Sequence, residues 1–205
     1  MEYGKKKQKK VKSRSTGANH EGDIWIYTCV KRGSYLFLAY SLGSRTQEAC
    51  SDMVELVFGR TKLPTSDNKI EIYSDGNDDY TVVLAEYYSE NCLIYGQVIK
   101  IREGGKVVEK IKKPIYGNPD TKKIETTDVE NYNSILSERW GRLVRRTKCI
   151  SKKKAVLNYA LGFFQFHWNW MDPLPCKKTP IMIENLSDHI WSWNEFLILS
   201  FCGLN

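Results

Sequence analysis

Three acidic residues of this 205-residue chain stand where a carboxylate can do chemistry. Asp23 opens the β-rich run Asp23-Ile-Trp-Ile-Tyr-Thr-Cys-Val30, between a polar segment and two residues, Ile24 and Trp25, that call for burial. Asp75 closes the alternating run Lys69–Ser74 and precedes Gly76, at the kind of strand end where α/β sheets put their ligand sites. Glu130 lies in the first turn of an expected helix whose apolar stripe is Val129, Leu136, Trp140 and Leu143. At 100° per residue Glu130 falls at the edge of that stripe, and Arg145 and Lys148 come round to its side if the helix runs that far.

Three carboxylates drawn together repel one another, and their pKa values rise unless a cation neutralises them. Mg²⁺ suits the role because it prefers hard oxygen ligands and keeps several waters. Two such ions roughly 3.5–4 Å apart activate an attacking oxygen and stabilise the leaving oxygen of a phosphodiester. The acids are 52 and 55 residues apart, room for a strand–helix–strand between each pair. Other roles fit the same residues: a cap before a strand for Asp23, an Asp-Gly turn for Asp75, a charge at a helix N-terminus for Glu130. Glu125, Asp128 and Glu138 are the nearby substitutes for the third acid.

The positive charge is clustered. Lys and Arg number 31 against 24 Asp and Glu, a net charge of +7, and 23 of the 31 fall in residues 1–15, 98–123 and 138–154. Such clusters on an otherwise balanced chain are what a polyanion binder needs, since affinity then comes from counterion release. The six cysteines include no Cys-x-x-Cys pair, and the three histidines (His20, His167, His189) are scattered, so no zinc site and no disulfide framework is expected. No apolar run is long enough to span a bilayer, and no secretory signal follows the N-terminal lysines. A chain of this kind is expected in the cytoplasm.

These residues must be held by elements that the pattern outlines. Residues 1–22 are expected as a basic flexible arm, residues 23–171 as the folded domain, and residues 172–205 as a tail packed on it. Asp23–Val30 and Tyr35–Leu42 predict a β-hairpin about the turn Lys31-Arg32-Gly33-Ser34. Thr46–Phe58 has helical spacing, Lys69–Ser74 alternates as a strand, and Thr81–Tyr88 reads as a helix. Gln97–Ile101 and Val107–Ile111 flank Gly104-Gly105 as a second hairpin. Pro114, Gly117 and Pro119 predict a loop over 114–127, followed by helices over 128–146 and 152–170, the latter with Leu157, Leu161, Phe164 and Trp168 on one stripe. The order of elements predicts an α/β fold, a mixed sheet flanked by helices.

At the same residues the chain resembles DDE transposases of the IS-one type. Gly22-Asp-Ile-Trp-Ile-Tyr27 is similar to that family's first-strand block, and Tyr73-Ser-Asp-Gly-Asn-Asp-Asp-Tyr80 to its second. The most specific stretch, Ile124 to Lys154, resembles the family's Glu-x-x-Asn followed by Arg-Leu-x-Arg-Arg-Thr and Ser-Lys. The match spans about residues 22–200 and includes Phe164-Gln-Phe-His-Trp-Asn and Leu186-Ser-Asp-His-Ile-Trp-Ser-Trp. It departs from the pattern at Ile24, Asn131 and Ile150, and the stretch between Tyr40 and Thr46 is short, as though a third strand were contracted or missing.

The resemblance implies an RNase H-like core in which Asp23, Asp75 and Glu130 are the catalytic, metal-binding triad, with Mg²⁺ or Mn²⁺ as cofactor. It implies cleavage and strand transfer of double-stranded DNA at insertion-sequence ends, in a homodimer or larger synaptic assembly. Arg139, Arg142, Arg145, Arg146, Lys148, Lys152 and Lys153 would contact DNA phosphates, and Tyr80 and Asn133 would support the site. With only 22 residues before Asp23, a truncated copy lacking the end-recognition region is also expected. Two alternatives remain at this point: an RNase H-like nuclease without strand transfer, and a non-catalytic DNA-binding remnant.

Overall fold

The computed structural model describes residues 2–3, 24–140 and 153–202. It is an α/β protein with two three-stranded sheets. The first contains β1 (Glu2–Tyr3), β2 (Ile24–Val30) and β3 (Phe37–Gly43), with β2 in the middle. The second is mixed: β4 (Ile70–Asp75) runs parallel to β5 (Leu93–Glu103), which runs antiparallel to β6 (Lys106–Tyr116). Helices α1 (Gln47–Arg60), α2 (Asp79–Tyr87), α3 (Thr127–Arg139), α4 (Lys154–Trp170), α5 (Pro180–Ile183) and α6 (Trp193–Cys202) complete the described chain.

Two compact units divide these elements. One comprises Met1–Cys29 and Leu38–Ile150; the other comprises Val30–Phe37 and Ser151–Asn205. This cuts the chain differently from a division at 171/172, because α4 groups with the residues that follow it. Asn169 explains the grouping: it accepts from Phe37 N at 2.9 Å and donates to Phe37 O at 3.0 Å. Trp168 Nε1 likewise donates to Tyr35 O at 2.9 Å. Within the same unit α6 packs on α4 through rings, with Phe163 stacked on Trp193 at 5.0 Å and Phe166 against Phe196 at 4.4 Å.

In the first unit one apolar core joins both sheets to α1 and α2. Tyr27 and Ala39 of the first sheet, Leu93 and Tyr95 of the second, and Cys50, Met53, Val54, Val83 and Leu84 of the helices all belong to it. Helix α1 forms for readable reasons. Thr46 caps it by accepting from Ala49 N, Glu48 and Arg60 suit the two ends of its dipole, and its buried residues recur at helical spacing. No strand intervenes between Gly43, where β3 ends, and Gln47, where α1 begins.

Three expectations need correction. Glu2–Tyr3 is not part of an arm but pairs antiparallel with β2, Glu2 opposite Trp25 and Tyr3 opposite Ile24; the remainder of 1–22 lies outside the described residues. β6 does not stop before Pro114 but continues to Tyr116, with Pro114 opposite Gly96 beside a register shift. A proline is tolerated there because β6 is an edge strand and the missing N–H interrupts no inner ladder. Helix α3 ends at Arg139, with Trp140 in extended conformation (φ −116°, ψ 95°). Gly141 follows, a residue whose conformational freedom disfavours helix interiors.

After β6 the chain turns at Gly117, with φ +68°, and a Cβ there would lie 2.3 Å from Leu93 O. At the hairpin tip Gly105, with φ +82°, has open space around it. Gly105→Ala should therefore cost only the left-handed backbone term, about 1–2 kcal/mol. Gly117→Ala should add overpacking of about 1–3 kcal/mol. Urea unfolding midpoints measure both, and equal midpoints would contradict this account.

Candidate functional site

Asp75 sits exposed at the end of β4, and what lies beneath it is a buried polar network. The Ser74 hydroxyl is 2.8 Å from the Tyr95 hydroxyl and donates to Asp75 O at 2.8 Å. Gln97, only 2% exposed, shares its amide between Tyr95 OH at 2.8 Å, Thr81 Oγ1 at 3.2 Å and Asn77 O at 3.2 Å. Buried polar atoms are costly unless paired, so this network fixes the strand end, the turn after it and the start of α2 in one arrangement. Gly76 lies close over Ile99, where a Cβ would be 3.2 Å from Ile99 Cγ1.

The charge of Asp75 reaches several neighbours. Burial, and then the Asp75 charge, push the Tyr80 phenol well above its ordinary value, so it stays protonated. The Cys50 thiol is pushed up to about 12 by burial and by Asp79 and Asp75. Tyr80 packs edge-on against Tyr27 of β2, ring centres 6.0 Å apart, so the end of β4 and the middle of β2 share a neighbourhood.

Glu130 lies in the first turn of α3 and is exposed. Its Oε1 is 2.5 Å from Lys100 Nζ and accepts from the Thr126 hydroxyl. Thr126 stands at the N-cap but makes no capping bond, because its hydroxyl turns to Glu130 instead. Lys100 lies directly opposite Lys110 across β5 and β6. Partial burial pushes the Glu130 carboxyl up, but the bonds from Lys100 and Thr126 and the charges of Lys100 and Lys110 outweigh it and hold the carboxyl below its ordinary 4.5. One turn on, Asn133 Oδ1 accepts from Thr28 Oγ1 of β2 at 3.1 Å. Helix α3 is seated by Tyr132 and Leu136, both fully buried. Ile124, just before it, fills the space over Gly96, where a Cβ would lie 2.8 Å from Ile124 Cδ1.

Asp23 lies outside the described residues. Among the described residues no three His, Cys, Asp or Glu side chains are grouped to hold a metal ion. Asp75 has its effect on Tyr80, Tyr95 and Cys50, whereas Glu130 faces Lys100 and Lys110. Of the basic residues, Arg139 ends α3 and Lys153 is the N-cap of α4. Arg142, Arg145, Arg146, Lys148 and Lys152 lie outside the described residues. Helix α3 ends at Arg139, and the expectation that Arg145 and Lys148 come round to the side of Glu130 falls on residues outside the described ones.

Sequence pattern missed the Ser74–Tyr95–Gln97 network and Lys100. Polar residues in strands read as solvent-facing, and only the register reveals which neighbours they have. It also missed an exposed cluster in the second unit, where His189 Nδ1 is 2.6 Å from Asp188 Oδ1 and its Nε2 is 2.7 Å from Glu195 Oε1. Glu195 also accepts from Ser192 N at 2.7 Å, the reciprocal half of a capping arrangement at the start of α6. No helix among the described residues is long and apolar enough to cross a membrane. Compared with protein-family models, curated proteins and solved structures, the chain matches none.

Two pH responses follow. Glu130, held below 4.5 in the fold, stabilises the protein above that pH, and the contribution is lost as pH falls through the lowered value. Lys100→Met should move its carboxyl upward in an NMR titration and shrink the acid-side loss of stability. The His189 imidazole is raised above 6.5 by hydrogen bonds to Asp188 and Glu195, so its contribution is full below 6.5 and fades as pH rises through the raised value. Glu195, held down to about 2 by the Ser192 bonds and His189, contributes above its ordinary 4.5. Protection of α6 amides from exchange should therefore be greatest between pH 4.5 and 6.5. A flat profile would exclude the cluster as the cause.

Proposed function

We propose that this chain is the catalytic domain of a DDE transposase of the IS-one type, with an RNase H-like core that cuts and rejoins double-stranded DNA at insertion-sequence ends. The observation that carries the reading is the Thr28–Asn133 bond of 3.1 Å. It ties the strand that follows Asp23 to the helix turn after Glu130, inside the unit that also holds Asp75. The segments bearing the three expected acids thus belong to one packed body. Tyr80, proposed as a support, lies within the field of Asp75, and Asn133 is the residue that makes the tie.

Oxygen donors of this kind suit a hard divalent ion in their chemistry, although no three of them are grouped among the described residues. Asp75 offers an exposed carboxylate at a rigid strand end, and Glu130 is kept ionised by its lysines. In this reading Asp23, Asp75 and Glu130 hold Mg²⁺ or Mn²⁺. When bound, the ions activate the attacking water or 3′-hydroxyl and stabilise the leaving oxygen. The chain's own contribution is placement: the buried Ser74–Tyr95–Gln97 network sets Asp75, and α3 sets Glu130. Arg139 and Lys153, with the basic residues between them, are proposed to grip phosphates. Bringing two DNA ends together requires a dimer or larger assembly, expected in the cytoplasm on the nucleoid.

A second reading, a non-catalytic DNA-binding remnant, is favoured by one feature: Glu130 is matched by Lys100 rather than by a second acid. Incubation of supercoiled plasmid with Mg²⁺ separates the two. The proposal expects cleavage that Asp75→Asn, Glu130→Gln or Asp23→Asn lowers by about three orders of magnitude or more, since each ligand positions the ions. Wild-type protein that binds but never cuts, or an Asp75→Asn variant that cuts normally, would overturn it. Joined products identify strand transfer; nicks alone identify a nuclease.

A further inference from the structure

The β5–β6 hairpin outgrows the sheet that bears it. β4 pairs with β5 only from Leu93 to Val98, so β5 continues through Ile99–Glu103 with β6 as its single strand neighbour among the described residues. At about 3.3 Å per residue, those five residues make a two-stranded ribbon roughly 17 Å long. Every residue from 101 to 114 is exposed, on both faces. An uncovered two-stranded ribbon is marginal in water, and a row of open backbone groups invites unwanted pairing. A partner that covers it would remove both costs.

The ribbon's chemistry identifies that partner. Between Ile99 and Lys113 it carries Lys100, Arg102, Lys106, Lys110, Lys112 and Lys113 against Glu103 and Glu109. Lys100 and Lys112 are matched at its base by Glu130 and Glu125. Arg102 and Lys106 lie at the tip, and Lys113 is opposite Gln97 on the other face from Lys112. Between the cations, Ile101, Val107, Val108 and Ile111 are 37%, 41%, 55% and 41% exposed. A protein groove would bury those side chains but leave the cations desolvated; a polyanion matches the cations while the short branched side chains pack on base edges. The register shift at Ile101/Arg102 adds local twist near the tip. The major groove of B-DNA, about 12 Å wide and about 8.5 Å deep, admits a two-stranded β-ribbon.

We infer that the ribbon formed by residues 99–111, with Lys113 beside its base, is a DNA arm that inserts into the major groove of the duplex, with Arg102, Lys106 and Lys113 on phosphates and Ile101 and Val108 against base edges. This rests on the proposed function for the presence of DNA, but it assigns contacts outside both the acidic site and the basic residues 139–153.

The test uses the full chain, a mixed-sequence duplex and fluorescence anisotropy from 50 to 200 mM salt. Replacing Arg102, Lys106 and Lys113 by Gln should flatten the slope of log affinity against log salt by about 2.7, about 0.9 per lost phosphate contact. The ratio of wild-type to variant affinity should then shrink roughly 40-fold across that range. Single Lys106→Glu should act in the same direction, and a control triple Lys62→Gln, Lys69→Gln, Lys178→Gln should leave the slope unchanged. Wild-type protein should protect guanine N7 from methylation, and the ribbon triple should not. A ribbon triple with the wild-type slope and footprint, or equal losses in the control, would overturn the inference while leaving DNA binding intact. Failure of wild-type protein to bind any duplex would overturn the proposed function as well. Preference for single strands or RNA over duplex would overturn the groove assignment alone.

Discussion

Lys100 and Lys110 face each other directly across an antiparallel strand pair, an arrangement that by itself is destabilising. The Glu130 carboxylate offsets it, and both lysines lower its pKa. This one charge balance links three levels of the structure. It favours the β5–β6 register that sets the two lysines opposite each other. It favours the seating of the first turn of α3 over that register, where Ile124 on Gly96 and the buried Tyr132 and Leu136 supply the apolar part. It keeps an acid ionised at a partly covered position where desolvation alone would push it toward neutrality.

The other acid is governed by the opposite physics. Asp75 is exposed, and among the described residues it is not matched by a cation but carried on a strand end whose underside is fixed by hydrogen bonds. Tyr95 and Gln97 on β5 hold Ser74 and the backbone of the turn, so the same strand that brings Lys100 to Glu130 also sets the platform of Asp75. β5 is thus the element on which both described acids depend. Its buried residues are apolar at Leu93 and Val98 and polar where they meet the end of β4 and the first turn of α2.

Periodicity was enough to place most elements. The spacing of Ala49, Cys50, Met53, Val54 and Val57 specified α1, and the alternation of Ile70 and Ile72 specified β4. It was not enough where a tertiary neighbour decided the outcome. Pro114 reads as a loop residue until β6 is known to be an edge strand, and α3 reads as continuous through Trp140 because Val129, Leu136, Trp140 and Leu143 share a stripe, whereas Tyr132 and Leu136 are the residues it buries. Gln97 and Ser74 look like solvent-facing strand residues, yet they are buried and bonded to each other's neighbours. Lys100 looked like one of a basic cluster; its partner lies thirty residues on, and only strand register joins them.

Placement of charge along β5 and β6 also explains why the basic cluster of residues 98–123 cannot be treated as one surface. At the base of the ribbon its lysines are engaged, by Glu130, Glu125 and, for Lys123, Glu71. Beyond Ile101 the acids at hand belong to the ribbon itself, Glu103 opposite Lys106 and Glu109 opposite Ile101, and the cations face solvent together with branched apolar side chains. Net charge alone predicts equal attraction for a phosphate backbone everywhere along the cluster. Paired lysines must first break an ion pair to reach a phosphate, but exposed pairs of this kind contribute only about 0–1 kcal/mol, so the base is handicapped modestly. On the proposed function this separation is useful in a specific way. In that reading the tip would take up DNA without drawing Lys100 from Glu130.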